Sequence, residues 1–240
     1  MPLNETGMHP TDVPLNLLLD IDGTLALTDH LYVLAFADLM RPFGYTEVND
    51  EWFAKNVAGK VDLDVFRALL PEGTALEQLE ATSKMKDTLF VEKVAKVGPT
   101  VVAGLGEALQ MAKKNGWRCI AVTNAQRGGG QAVLDFLQRE LGEVAGVIED
   151  LVVGCECPHA KPHPDPYFEG MRRLGAAPEN CIVFEDSGTG VKAGVAAKVA
   201  AVVGIRSSLT DEQLRGAGCA VTVADWTEVT ETQLRELVCR

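Results

Sequence analysis

Four short polar segments follow apolar runs in this sequence, and together they hold carboxylates, a hydroxyl group and a lysine. A carboxylate can attack an electrophile and form a covalent intermediate, and a second one nearby can act as general acid and base. Four carboxylates that share a small site cannot all stay ionised without a cation, and Mg²⁺ prefers oxygen ligands. We therefore predict a nucleophilic carboxylate beside a divalent-cation site. The four segments are Asp20-Ile21-Asp22, Thr123-Asn124, Lys161-Pro162 and Glu185-Asp186-Ser187.

Five short apolar runs have the length and composition of buried strands in a parallel sheet. Helical patterns separate them, and this alternation predicts a doubly wound, Rossmann-like α/β fold with helices on both faces of the sheet. Ligands of such folds bind at the carboxyl ends of the strands, where the polar segments begin. The predicted strands are Leu15–Ile21, Arg118–Thr123, Val147–Val153, Cys181–Phe184 and Val199–Gly204, and the predicted helices are Leu105–Lys114, Gln131–Arg139, Pro166–Leu174 and Thr189–Ala197.

The alternation is interrupted between residues 28 and 97, where the sequence has helical patterns and no convincing strand. About seventy residues of helix after the first strand predict an inserted helical cap subdomain. We expect residues 1–13 to form a flexible tail, residues 14–27 and 98–240 the α/β catalytic core, and residues 28–97 the cap. The predicted cap helices are His30–Arg41, Asp62–Leu70 and Leu76–Lys96.

The composition limits the classes of partner that the protein can have. The 240 residues include 22 basic and 34 acidic side chains, which gives a net charge of −12. Such acidity argues against binding to nucleic acid or to an anionic membrane. No apolar run approaches the ~18 residues of a membrane helix, and the first residues lack the features of a secretory signal. We therefore expect a cytoplasmic protein, with the monomer as the default state and with the cysteines reduced.

The four polar segments, in this order and each at a predicted strand end, resemble the four motifs of the haloacid dehalogenase-like hydrolase superfamily. The resemblance extends over nearly the whole chain after residue 13, and the helical insert is similar to that family's helical cap. Within the superfamily, stretches such as Ala121–Ala125 and Lys161–Tyr167 resemble the β-phosphoglucomutase-like subgroup, and above all its broad-range sugar phosphatases of plants. The resemblance implies a Mg²⁺-dependent phosphatase that hydrolyses small phosphorylated metabolites, sugar phosphates above all, through an aspartyl-phosphate intermediate.

The motifs imply a role for each matching acid. By resemblance, Asp20 is the nucleophile and Asp22 is the general acid and base. The same resemblance implies that Mg²⁺ is held by the Asp20 carboxylate, the Asp22 backbone carbonyl and Asp186, and that Glu185 supports the metal.

The resemblance also implies which residues bind the substrate. In the core, Thr123, Asn124 and Lys161 correspond to the residues that hold the transferring phosphoryl group. In the cap, Gly59-Lys60 corresponds to a substrate contact, and closure of the cap excludes water during the attack on phosphorus. Arg127 follows the second motif, and we include it as a candidate phosphate contact.

Three alternatives stay open at this point. A β-phosphoglucomutase-type phosphomutase is one, although Tyr32 and Asp62 stand where the mutases have a cap-hinge His and a cap Arg. A phosphoglycolate phosphatase is the second, and a non-catalytic phosphate-binding protein is the third. Dehalogenation is disfavoured because the superfamily's dehalogenases lack a second acid at the position of Asp22.

Overall fold

We analysed the protein in a computed structural model that describes residues 14–57, 60 and 62–239. The predicted tail, residues 1–13, lies outside the described residues, and so does Gly59, one of the candidate substrate contacts.

A six-stranded parallel sheet forms the centre of the molecule, with the strand order β5-β4-β1-β6-β7-β8. Its strands are β1 (Asn16–Leu19), β4 (Arg118–Thr123), β5 (Ile148–Val153), β6 (Cys181–Glu185), β7 (Ala201–Ile205) and β8 (Val221–Val223). Strand β1 lies between β4 and β6, and its Leu19 pairs with Ala121 on one side and Phe184 on the other. The carboxyl ends of these three central strands therefore lie side by side, and three of the four polar segments follow them or close them.

Apolar side chains cover both faces of the sheet because successive residues of a strand point to opposite sides. In β1, Leu17 and Leu19 belong to one buried cluster, whereas Leu18 belongs to the cluster on the other face. The helices of the sheet domain are α5 (Leu105–Lys114), α6 (Arg127–Leu141), α7 (Asp165–Leu174), α8 (Gly188–Ala196), α9 (Asp211–Ala217) and α10 (Glu231–Val238). This arrangement confirms the predicted α/β fold class.

The cap helices follow β1 in the chain and leave and rejoin the sheet domain through a two-stranded antiparallel ribbon, β2 (Ala26–Leu27) and β3 (Thr100–Val101). Between these strands lie α1 (Asp29–Met40), α2 (Asp50–Asn56), α3 (Asp62–Leu69) and α4 (Leu76–Lys96). They pack around their own apolar cluster, in which the rings of Phe36 and Phe66 are stacked at 5.9 Å. The exact division of the chain at residues 28 and 97 stays a prediction.

Several short elements were absent from the sequence-based prediction: β2, β3, β8, α2, α9 and α10. Strands of two or three residues are too short to show the period-two alternation by which strands are recognised. Among the described residues, no helix is both long enough and apolar enough to cross a membrane.

Candidate active site

The candidate site lies at the carboxyl ends of the three central strands. Asp20 directly follows β1, Thr123 closes β4, and Glu185 closes β6 and is followed by Asp186. The Asp20 N–H donates to the carbonyl of Phe184 at 3.0 Å, so sheet pairing continues up to the acid itself. All four polar side chains are buried. Their positions are therefore fixed by backbone hydrogen bonding rather than by a mobile loop.

Lys161 joins two of these carboxylates. Its Nζ donates to Asp20 Oδ1 at 2.8 Å and to Glu185 Oε1 at 2.7 Å. The third ammonium hydrogen has an acceptor in the carbonyl of Val122, also at 2.7 Å. An ammonium has three donors, and all three are engaged here. Contact between Lys161 and a phosphoryl oxygen, as predicted, thus requires sharing or exchanging one of these bonds.

One ammonium does not balance the acids around it. Burial raises the pKa of Asp20 well above its usual value, and repulsion from Glu185 adds to the rise. Burial and Glu185 likewise raise the pKa of Asp186 to about 7. The pKa of Lys161 is also raised, because the charges of Asp20 and Glu185 outweigh the effect of its burial. The site therefore carries surplus negative charge that a bound cation would offset.

The donor atoms fit a hard divalent cation. One carboxylate oxygen from each of Asp20, Glu185 and Asp186 lies within 4.8 Å of the others, and oxygen ligands are the ones that Mg²⁺ prefers. Gly23 has φ +77°, and a Cβ there would lie 2.0 Å from Asp186 Oδ2. A side chain at this position would therefore collide with the acid, which explains the glycine after Asp22.

Glu185 differs from the other two acids because protein donors surround both of its oxygens. Oε1 accepts from Lys161 and from the Tyr167 hydroxyl at 2.8 Å, and Oε2 accepts from the Ser187 hydroxyl at 2.9 Å. A Cβ on Gly190 would lie 1.6 Å from Oε1, so only glycine fits there. Asp20 and Asp186 are thus the better-placed direct ligands, with Glu185 as a supporting charge.

Asp22 is bound by hydroxyl groups, whereas Asp20 is bound by the Lys161 ammonium. Its Oδ1 accepts from the Thr28 hydroxyl at 2.6 Å, and its Oδ2 lies 3.5 Å from the Thr123 hydroxyl. Burial raises the pKa of Asp22 in spite of the Thr28 hydrogen bond, and a raised pKa favours the protonated form that a general acid needs. Thr28 lies between β2 and α1, so this bond links Asp22 to the start of the cap helices.

The three predicted phosphoryl-binding residues of the core are brought together, and all three already make hydrogen bonds within the protein. The Asn124 side chain donates to the Lys161 carbonyl at 3.0 Å and accepts from the Lys161 N–H at 3.1 Å. These two hydrogen bonds fix the backbone of Lys161 beside the end of β4. The Thr123 hydroxyl accepts from the Ala125 N–H at 2.9 Å, which orders the turn after β4.

A cleft of about 840 Å³ opens from these residues between the sheet domain and the cap helices, and Lys60, Arg127 and Lys161 all line it. The Lys60 ammonium donates to the carbonyls of Lys55 and Asn56, so it closes the end of α2. Arg127 makes two hydrogen bonds to Glu156. Neither side chain is aimed at Asp20 in this structure, and their substrate contacts stay predictions.

Sequence reasoning missed four side chains that touch the acids. Thr28 and Tyr167 were not among the candidate site residues, yet they donate hydrogen bonds to Asp22 and Glu185. Ser207 and Ser208, in the loop after β7, both donate to Asp186 Oδ2. The one available signal for the serines was their place after a strand of the same sheet.

Comparisons with known proteins bear on the family and the fold of this chain. A family model described as haloacid dehalogenase-like hydrolase matches residues 16–198. Protein CbbY of Rhodobacter capsulatus is 28% identical over 88% of this chain and 90% of its own length. A phosphorylated carbohydrates phosphatase of Thermotoga maritima is 27% identical over 81% of this chain and 86% of its own length.

Among solved structures, a haloacid dehalogenase-like hydrolase of family IA from Entamoeba histolytica superposes with a TM-score of 0.81 at 21% identity. The match covers 94% of this chain and 100% of that one, and at this identity it supports the fold. Because the family model spans most of the chain, including the segments that supply Asp20, Lys161 and Glu185, this protein belongs to the haloacid dehalogenase-like hydrolase family.

Proposed function

We propose that this protein is a Mg²⁺-dependent phosphatase that hydrolyses small phosphorylated metabolites, above all sugar phosphates, through an aspartyl phosphate on Asp20. The observation that carries the proposal is the pairing of two acids with different surroundings. Asp20 accepts a hydrogen bond from the Lys161 ammonium, whereas Asp22 accepts one from the Thr28 hydroxyl. Two acids whose surroundings differ in this way can divide the roles of nucleophile and proton donor.

In the first half of the reaction, an Asp20 carboxylate oxygen attacks phosphorus and the bond from phosphorus to the leaving oxygen breaks. Asp22 donates its proton to that oxygen, so the product leaves as a neutral alcohol. Mg²⁺ held by Asp20 and Asp186 would neutralise charge on the phosphoryl oxygens. Lys161 offsets the negative charge that accumulates beside Asp20.

In the second half, Asp22 accepts a proton from a water molecule that attacks phosphorus, and the phosphorus–oxygen bond to Asp20 breaks. The products are inorganic phosphate and free enzyme with Asp22 protonated again. The cap helices close the cleft during the first half and admit water for the second. The proposed cap, residues 28–97, begins at Thr28, whose hydroxyl bonds the acid that acts in both halves.

Phosphate release from a panel of sugar phosphates, polyol phosphates and phosphoglycolate tests the proposal. We expect turnover with Mg²⁺, loss of turnover with a chelator, and a loss of at least about a thousandfold in the Asp20→Asn variant. Asp135→Asn is the matched control, because Asp135 lies on α6 and bonds only Gln131 among the contacts described for it. Activity of Asp20→Asn near that of the wild type contradicts the mechanism.

The same panel separates the phosphatase from a phosphomutase. Conversion of β-glucose 1-phosphate to the 6-phosphate that exceeds its hydrolysis would assign the protein to the mutases. We expect hydrolysis to dominate, because Asp62 places a carboxylate on the cap side of the cleft, where a second phosphate would have to bind.

A further inference from the structure

The cap side of the cleft contains a compact charged group, which we call the Lys86 cluster: Asp62, Ser83, Lys86 and Asp87. The Lys86 Nζ donates to Asp62 Oδ2 at 2.8 Å and lies 2.9 Å from Asp87 Oδ1. The Ser83 hydroxyl donates to the same Asp62 oxygen at 2.6 Å. All four residues line the cleft that also contains Lys161. The cluster therefore faces the part of a substrate that lies away from the reacting phosphate.

The cluster has a net charge of −1, since one ammonium is shared by two carboxylates. Lys86 is only 8% exposed, so solvent screens its ion pairs less than those of an exposed lysine. Burial lowers the pKa of Lys86, but the charges of Asp62 and Asp87 outweigh that effect and the net shift is upward. The lysine stays charged and stays committed to the two acids.

Hydrogen-bonding capacity distinguishes the groups that can dock on this cluster. A sugar hydroxyl both donates and accepts, so it can donate to a carboxylate of Asp62 or Asp87 and accept from Lys86. A phosphate dianion or a carboxylate only accepts, and it meets two like charges at short distance, which is a strong means of rejecting a wrong ligand.

The other cations that line the described part of the cleft offset this repulsion only in part. Arg127 is paired with Glu156, and Lys161 is paired with the core acids. The Lys60 ammonium keeps its charge, but its hydrogen bonds to two backbone carbonyls hold it at the end of α2. Lys84 is exposed at the rim, where water and salt screen its charge.

We propose that the Lys86 cluster selects monophosphorylated substrates whose far end is neutral and rich in hydroxyl groups, and that it rejects a second phosphate or a carboxylate. This inference rests on the proposed phosphatase function and specifies its substrate class. Asp62 is the specificity-determining residue, because it contacts both Lys86 and Ser83 and comes from a different helix, α3.

Fructose 6-phosphate and fructose 1,6-bisphosphate form a matched pair for the test, since they differ only by the second phosphate. We expect the wild type to have a kcat/KM at least about tenfold higher for the monophosphate, the ratio that corresponds to ~1.4 kcal/mol. Asp62→Asn removes one negative charge and keeps the side-chain shape, and we expect it to reduce that preference about tenfold. Asp87→Asn removes the other carboxylate charge beside Lys86, and we expect it to reduce the preference for the monophosphate as well.

Asp64→Asn is the control. Asp64 lies two residues from Asp62 on the same helix but is exposed and pairs with Arg67, so its removal should leave the preference unchanged. Equal or faster hydrolysis of the bisphosphate by the wild type overturns the inference, as does a preference that neither Asp62→Asn nor Asp87→Asn changes.

Calorimetric titration of both sugars into the Asp20→Asn variant measures the same preference without turnover. Tighter binding of the monophosphate is expected, and tighter binding of the bisphosphate overturns the inference. Failure of the proposed function is a different result: no member of the substrate panel releases phosphate, whichever sugar binds more tightly.

Discussion

Among the described residues, two buried lysines each bridge two carboxylates, one in the sheet domain and one in the proposed cap. Lys161 joins acids from two strand ends, Asp20 and Glu185, which lie 141 and 24 residues away in the chain. Lys86 joins Asp62 from the preceding helix and Asp87, its own neighbour on α4. The two clusters use the same chemical groups but differ in what holds them.

We propose that this difference separates reaction chemistry from substrate selection. Backbone pairing between three parallel strands fixes the acids beside Lys161, and their surplus negative charge suits a metal ion. The cluster beside Lys86 rests on helix packing in the cap and has acids that are 28% and 21% exposed. A site fixed by strands can keep reacting groups in position, whereas the helices of the proposed cap can present a selective surface.

Removing the lysine of the sheet domain should give the largest effect. Lys161→Met leaves Asp20 and Glu185 buried without their cation, and we expect a loss of about 3–5 kcal/mol in the free energy of unfolding in metal-free buffer. Turnover should fall at least about a hundredfold. Urea denaturation and phosphate release measure the two effects, and a variant as stable and active as the wild type would show that the bridge is dispensable.

A smaller effect should come from the loop that orients Asp186, a proposed metal ligand. Ser208 donates to Asp186 Oδ2, and outer hydrogen bonds of this kind change metal affinity by about 10- to 100-fold. We expect Ser208→Ala to raise the Mg²⁺ concentration for half-maximal activity by at least about tenfold, with little change at saturating Mg²⁺. An unchanged Mg²⁺ requirement would show that Ser208 does not contribute to metal binding through Asp186.

A buried tryptophan ties the C-terminal part of the chain to the loop after Asp22. The Trp226 Nε1 donates to the Thr24 carbonyl at 2.8 Å, and its ring lies 4.4 Å from that of Phe184. Trp226→Phe keeps an aromatic ring and leaves that carbonyl without its donor, which should destabilise the fold by about 1–3 kcal/mol. Trp52 is half-buried in the proposed cap, and Trp52→Phe serves as the control because it replaces an indole by a phenyl ring in the same way. Equal thermal stability of the two variants would contradict the assigned role of the hydrogen bond.

The smallest effect on stability should follow removal of the cap lysine. In Lys86→Met the acids left behind are partly exposed and can be hydrated, so we expect a loss of only about 1 kcal/mol, well below that for Lys161→Met. Urea denaturation of both variants in the same buffer makes the comparison direct. A loss as large as that of the Lys161 variant would show that the two clusters are equally fixed.

The sequence predicted best those site residues that lie at the ends of predicted strands. Asp20, Thr123 and Glu185 could be placed near one another because parallel strands end at one edge of a sheet. The contact between Lys86 and Asp62 could not be predicted, because it depends on how α3 and α4 pack in space. The two serines beside Asp186 were missed because a hydroxyl in a loop gives no pattern until its strand has been placed.

Trapping the phosphorylated enzyme tests the central claim most directly. The Asp22→Ala variant, which lacks the base for hydrolysis, is mixed with Mg²⁺ and a sugar phosphate that the wild type hydrolyses, quenched in acid and digested for mass spectrometry. The account predicts the added mass of one phosphoryl group on the peptide that contains Asp20, and none when Asp20 is changed to Asn. Steady phosphate release with an unmodified Asp20 peptide, together with activity in Asp20→Asn, would contradict it.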